Sequence, residues 1–216
     1  MHRSLCIWGL LPRIETRTRL LFVVHQLEAV KPTNTGLVAA RCLANSAVVY
    51  RGRAPAGGAD GVARDPHAAS APAWNDGPGA QRLILFPHSS ATPLADWHGR
   101  SEPLVLLVPD GTWRQAARTR ARLAPDPRAI PCVSLPAAID SRRLRSASAP
   151  HRMATLEAVA YALGVLEGPH VESALLRVFR IMTDRTLWSN GRIAAADVTG
   201  GVPAGARSHD PLSTGR

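Results

Sequence analysis

The sequence predicts an α/β fold, a mostly parallel sheet with flanking helices, and three observations carry that prediction. Short unbroken apolar runs recur at Leu20–Val24, Ala47–Tyr50, Leu83–Phe86 and Leu104–Val108, and Ile130–Leu135 reads as a further strand. Runs of that length, rich in β-branched residues and bounded by turn residues, suit strands buried on both faces of a parallel sheet. Helix-like stretches separate or follow them, at Leu37–Leu43, after Trp113, from Ala154 to about Leu166, and at Val171–Trp188. Strands alternating with helices give a parallel sheet. Third, the run Leu104–Val108 is followed directly by Pro109, Asp110, Gly111, Thr112 and Trp113. A carboxylate, a hydroxyl and an indole thus gather at the carboxyl end of a buried strand, where open α/β sheets bind ligands.

In chain order, the first strand is preceded by Arg13, Arg17 and Arg19. Residues 17 and 19 share one face of an extended chain. They fit contacts to a phosphate backbone, or a solvated strand end paired with Glu15. His25 ends the strand and reads as structural. Lys31-Pro-Thr-Asn-Thr-Gly36 then opens a helix with hydroxyls, an amide and a lysine. Such a terminus either binds an anion or is merely capped by Asn or Thr. Residues 54–79 are rich in Ala, Pro, Gly and Asp, with Trp74 the only large apolar side chain, and read as a long mobile surface loop.

Pro109 is expected to end its strand, since proline cannot donate to a ladder. Thr112 with Gln115 reads as a capping box. On the helix that follows, Arg114, Arg118 and Arg122 form a basic stripe beside an apolar one of Trp113, Ala117, Ala121 and Ala124. The basic stripe suits either solvent or RNA. Arg142, Arg143, Arg145 and Arg152 lie among serines and read as a basic loop. Thr155 is expected to cap the next helix, Gly168 and Pro169 to break it, and Leu175, Val178, Phe179 and Met182 to face the core from the last. Residues 1–192 then make a single domain, and 193–216, small and glycine-rich, a disordered tail.

The net charge is +10, from 26 Lys and Arg against 16 Asp and Glu, and nearly all the cations are arginine. Arginine forks onto phosphates and stacks on bases, so the balance leans toward nucleic acid. Cys6, Cys42 and Cys132 are far apart and form no CxxC pair, which gives no metal site and no disulfide framework. No stretch has the length of a membrane span or the apolar core of a signal peptide, so a cytoplasmic protein with no membrane partner and no obligate protein partner is expected.

PDGTWRQA, at 109–116, resembles the signature of the DTW-domain family. LPRIETRTRL at 11–20, KPTNTG at 31–36, LFP at 85–87, ATLEA at 154–158 and RTLW at 185–188 match the family in the same order. The resemblance covers roughly residues 6–192 and implies a tRNA-uridine aminocarboxypropyltransferase. Such an enzyme places the 3-amino-3-carboxypropyl group of S-adenosylmethionine (SAM) on uridine N3. It also implies a SPOUT-like fold whose chain is knotted around the SAM site. Carried onto this chain, the SAM-binding positions are Leu85, Phe86, Pro87, Asp110, Thr112, Trp113, Leu135, Thr155 and Leu156. Those facing tRNA are Arg13, Arg17, Arg19, Lys31, Asn34, Arg114 and Arg118.

Asp110 is the candidate to accept the N3 proton or orient the base. Val108 and Trp113 would raise its pKa, and holding the turn is its competing role. Two departures stand out. The family's CxC before LPRIETRTR is here Cys6-Ile7-Trp8, so no metal is expected and residues 1–10 should be mobile, with Trp8 partly exposed or packed loosely on the face of the first strand. Ala154 and Arg142 replace a serine and a tyrosine. An RNA methyltransferase and a catalytically silent RNA-binding protein are the alternatives.

Overall fold

The computed structural model describes residues 5–31, 33–52, 76–126, 129–135 and 153–206. Its elements run β1 (Arg19–His25), α1 (Gln26–Ala29), α2 (Thr35–Cys42), β2 (Ser46–Arg51), β3 (Gln81–Leu85), β4 (Thr92–Pro93), β5 (Leu104–Asp110), α3 (Trp113–Leu123), β6 (Cys132–Ser134), α4 (Thr155–Glu167) and α5 (Pro169–Ser189). The fold is α/β. Six strands form one sheet in the order β2-β1-β5-β3-β6-β4, and every pairing is parallel.

All seven residues of β5 are buried, as its apolar run predicts. Alternation divides them between two layers. Leu104, Leu106 and Val108 join Leu20, Phe22, Val24, Leu83 and Leu85 under α2, α4 and α5. Val105 and Leu107 point the other way, with Ile84, Phe86 and Cys132, toward Ala116 of α3 and Ala124 just beyond it. One face therefore carries three helices and the larger core, and the other is covered by α3 with small side chains.

Several expectations are corrected. Pro109 does not end β5, which runs on through Asp110. Pairing with β3 stops at Leu107, while β1 continues alongside, Val23 opposite Pro109 and Val24 opposite Asp110. A missing donor is tolerated where the ladder has become one-sided. On α3 the buried residues are Ala116 and Thr119, while Trp113 and Ala121 are exposed. Turning the helix this way puts Arg114, Arg118 and Arg122 outward. Helix α2 begins at Thr35 rather than Leu37. The short β4 and the 3-10 turn Leu94–Trp97 after it carry no strong sequence pattern.

Both ends of the domain are better held than expected. Leu5 and Ile7 are buried, and the Arg185 Nη1 donates to the Leu5 and Cys6 carbonyls at 3.3 and 2.8 Å. Trp8 is half exposed, with the Arg41 guanidinium 4.3 Å over its ring. The chain beyond 193 docks through a buried Val198, and Thr199 donates from N and Oγ1 to Asp184 Oδ2. Residues 1–4, the basic loop at 141–152, most of the 54–79 stretch and residues 207–216 lie outside the described residues. Among those described, no helix is long and apolar enough to cross a membrane.

Candidate active site at the carboxyl rim

The carboxyl ends of β1, β5, β3 and β6 form one rim of the sheet. Asp110 is the last residue of β5 and follows the parity of Leu104, Leu106 and Val108, so its side chain enters the layer of α2 and α4. It is 4 % exposed. Asn34 Nδ2 donates to Oδ2 at 2.7 Å and Thr155 Oγ1 donates to Oδ1 at 2.5 Å. Gly36 lies against the same carboxylate, where a Cβ would sit 2.6 Å from Cγ. Three stretches far apart in sequence, KPTNTG, PDGTW and ATLEA, therefore converge on one carboxylate.

Burial is the main influence on Asp110 and raises its pKa above the ordinary carboxylate range. The hydrogen bonds from Thr155 and Asn34 pull it back, and the neighbouring Glu28 charge pushes it up. Glu28 is itself buried and accepts from Lys31 Nζ at 2.6 Å.

The turn after Asp110 is built as the sequence predicts. Thr112 Oγ1 accepts from Gln115 N at 3.4 Å, and Gln115 Oε1 accepts from Thr112 N at 2.7 Å, closing the capping box. Gln115 Nε2 also lies 3.2 Å from His25 Nδ1, which accepts from Leu27 N and caps α1. His25 is structural, as expected. The cap of α3 belongs to Thr112, so Asp110 is released from that duty and meets the starts of α2 and α4 instead.

On the α3 side, Phe86 and Trp113 form an aromatic pair with centroids 5.0 Å apart and planes tilted by 30°. Phe86 is buried and Trp113 is 42 % exposed, so the pair presents an indole surface at the rim. Leu85 ends β3 and Phe86 and Pro87 follow it, Leu135 follows β6, and Thr155 and Leu156 start α4. Because β5, β3 and β6 are neighbours, all nine positions assigned to SAM come to this rim. Leu156 is fully buried, backbone included, and presents no surface at the rim. Thr155 is the first residue of α4 rather than its cap; Ala154 takes the cap position, its N–H bonded to Glu157 Oε2 at 3.0 Å.

The residues assigned to tRNA do not form one surface. Arg114 and Arg118 are exposed on α3, beside the rim. Lys31 is at the same rim but is paired with Glu28. Asn34 is buried, its amide spent on Asp110, the Glu28 carbonyl and Leu37 N. It is a link inside the fold and not an outward contact. Arg17 and Arg19 precede β1 or open it, which places them at the amino rim, the opposite edge of the sheet. Arg13 lies further upstream and is exposed. Sequence reasoning missed Gly36 and Glu28 as neighbours of Asp110; a glycine within the first turn of a helix is the one signal that pointed to a close approach. Among the described residues, no group of three His, Cys, Asp or Glu side chains could hold a metal ion.

A family model described as the DTW domain matches residues 1–187. No curated protein and no solved structure matches the chain.

Proposed function

The chain belongs to the DTW-domain family, and from that premise we propose that it transfers the 3-amino-3-carboxypropyl group of SAM to N3 of a uridine in tRNA. Family membership is consistent with a tRNA-modifying enzyme. The observation that carries the reading further is the convergence of Asn34, Gly36 and Thr155 on Asp110 at the rim where such a sheet takes its ligand. The SPOUT-like, knotted course implied by the resemblance belongs to this reading, and an all-parallel sheet is compatible with it.

In the reaction a bond forms between uridine N3 and the γ-carbon of the methionine-derived arm. The carbon–sulfur bond breaks, its electron pair leaves with methylthioadenosine, and the N3 proton is lost to a base or to water. Nothing in this balance needs a covalent enzyme intermediate, so alignment and exclusion of water supply the rate. The residues present suit a flat heterocycle and a polar arm. The exposed face of Trp113, backed by Phe86, offers a wall for adenine. Backbone groups after β3 and β6 lie beside it.

The burial of Asp110 supports a positioning role over that of a freely exposed base. Both its oxygens already accept hydrogen bonds, and it fixes the starts of α2 and α4 around the rim. Its buried setting also keeps its field strong at short range.

The test is nucleoside mass spectrometry of unmodified tRNA incubated with the purified protein and SAM. The expected products are aminocarboxypropyluridine and methylthioadenosine. A methylated nucleoside would make the protein an RNA methyltransferase. No product, together with no SAM binding by calorimetry, would make it a silent RNA-binding member of the family.

A further inference from the structure

A cavity of about 450 Å³ opens at the amino rim, among the residues before β1 and β5. Its cations are Arg17, Arg19 and Arg100, its carboxylates Glu102 and Glu167, and Trp97 forms part of its wall. It is not the Asp110 site. Arg19 pairs with Val105, five residues before Asp110 on β5, so the two rims are about 16 Å apart at 3.3 Å per residue.

Polar contacts fix the chain around the cavity. Glu167, at the end of α4, accepts from Thr18 N at 2.8 Å, Thr18 Oγ1 at 2.5 Å and Arg17 N at 3.1 Å. These bonds occupy the carboxylate and fix the backbone that presents Arg17, whose side chain is 80 % exposed. The Arg17 Nε stands 4.0 Å from Glu167, too far for a tight pair. The Arg100 guanidinium lies over the Trp97 ring, 4.4 Å from its centroid, and its Nε donates to the Asp96 carbonyl at 3.2 Å. With its Nε engaged, the guanidinium has its terminal N–H fork left for another acceptor, and such a fork grips phosphate bidentately. Asn45 is spent on the Thr16 carbonyl at 2.5 Å. Glu102 is exposed to solvent, which screens its charge.

We propose that this cavity seats backbone phosphates of the RNA substrate on Arg17 and Arg100, so that the RNA is gripped at the rim opposite the reacting base. The inference rests on the RNA-modifying reading above. A polyanion suits the site better than a small anion, because two separate guanidinium groups at a cavity this size can each take a phosphate of one strand. The RNA then passes over an edge of the sheet between the two rims.

Equilibrium binding of unmodified tRNA across a range of KCl concentrations tests it, with Arg17→Gln/Arg100→Gln against the wild type. Arg177→Gln/Arg180→Gln removes the same charge from exposed positions on α5 and serves as the control. The cavity variant should lower the slope of log K against log salt by roughly 1.4–1.8, at about 0.7–0.9 for each phosphate deprived of its cation. The control should keep the wild-type slope, and urea midpoints should show all three proteins equally folded. A wild-type slope in the cavity variant, an equal loss in the control, or no tRNA binding by the wild type would each overturn the proposal. Transfer activity is scored separately. Binding that depends on Arg17 and Arg100 without transfer leaves this inference standing and removes the reaction, and transfer with an unaltered slope does the reverse.

Discussion

Replacing Gly36 by alanine should destabilise the protein although the backbone there accepts alanine. Gly36 is in the first turn of α2 and is not among the glycines with positive φ. Helix propensity alone would favour Gly36→Ala by about 0.5–1 kcal/mol. The new Cβ, however, would stand 2.6 Å from Asp110 Cγ, 2.7 Å from Oδ1 and 2.9 Å from Oδ2. Asp110 has a short side chain pinned by Asn34 and Thr155, so it cannot swing away without losing at least one hydrogen bond. Overpacking costs about 1–3 kcal/mol, and a hydrogen bond to a charged group contributes about 1.5–3 kcal/mol. The clash wins, and the net loss should be about 2 kcal/mol. Urea denaturation reads this as a midpoint lowered by about 1 M, for a slope near 2 kcal/mol/M. The decisive measurement is the same substitution in an Asp110→Ala background. With the carboxylate gone, Gly36→Ala should become neutral or stabilising, and the coupling energy should exceed about 2 kcal/mol. A Gly36→Ala protein as stable as the wild type, or an equal loss in both backgrounds, would refute the reasoning.

Asp110→Ala should reduce transfer to tRNA by about a hundredfold or more through misplaced rim elements, measured by single-turnover product analysis; near wild-type turnover would remove Asp110 from the site. Burial raises the Asp110 pKa in the folded state. Its stabilising contribution is therefore complete below the ordinary aspartate value of about 3.9 and is lost as pH rises through the raised one. Asp110→Asn should accordingly flatten the fall of stability with rising pH on the acid side, and urea midpoints over that range would show an unchanged slope if the burial argument were wrong. Trp113→Ala should weaken SAM binding by roughly two- to tenfold, the equivalent of about 0.5–1.5 kcal/mol of aromatic stacking, and calorimetry would show no change if the indole were not a wall of the pocket. Arg185→Met leaves the Leu5 and Cys6 carbonyls without their donor. It should make residues 5–10 protease-sensitive, and continued resistance would place the anchorage elsewhere.

The sheet was legible because its strands are apolar throughout; β5 announces itself by five consecutive buried aliphatic residues. The capping box at Thr112 and the break at Gly168 and Pro169 were legible too, because each depends on the residue's own backbone chemistry. What escaped was contact between distant stretches. An asparagine that caps a helix looks the same in sequence whether its amide faces water or, like Asn34, a buried carboxylate. The separation of Arg17 and Arg19 from Asp110 was available in principle. In a parallel sheet, residues before a strand and residues after one lie at opposite rims. Grouping them by charge overrode that rule. Pro109 misled because a ladder with one neighbour has room for a missing donor, and sequence does not reveal how many neighbours a strand end keeps.

The two donors on Asp110 come from opposite directions in the chain, and this sets an order of events during synthesis. Asn34 is made 76 residues before the carboxylate it serves, but Thr155 is made 45 residues after it. At about 5–20 residues per second on the ribosome, one oxygen of Asp110 keeps its water for roughly 2–9 s after the central strand has been made. Only when α4 arrives and lays Thr155 on that oxygen does the rim close. A chain that stops short of residue 155 can still pair β1, β2, β3 and β5, yet it leaves a half-hydrated carboxylate where the finished protein has a dry one.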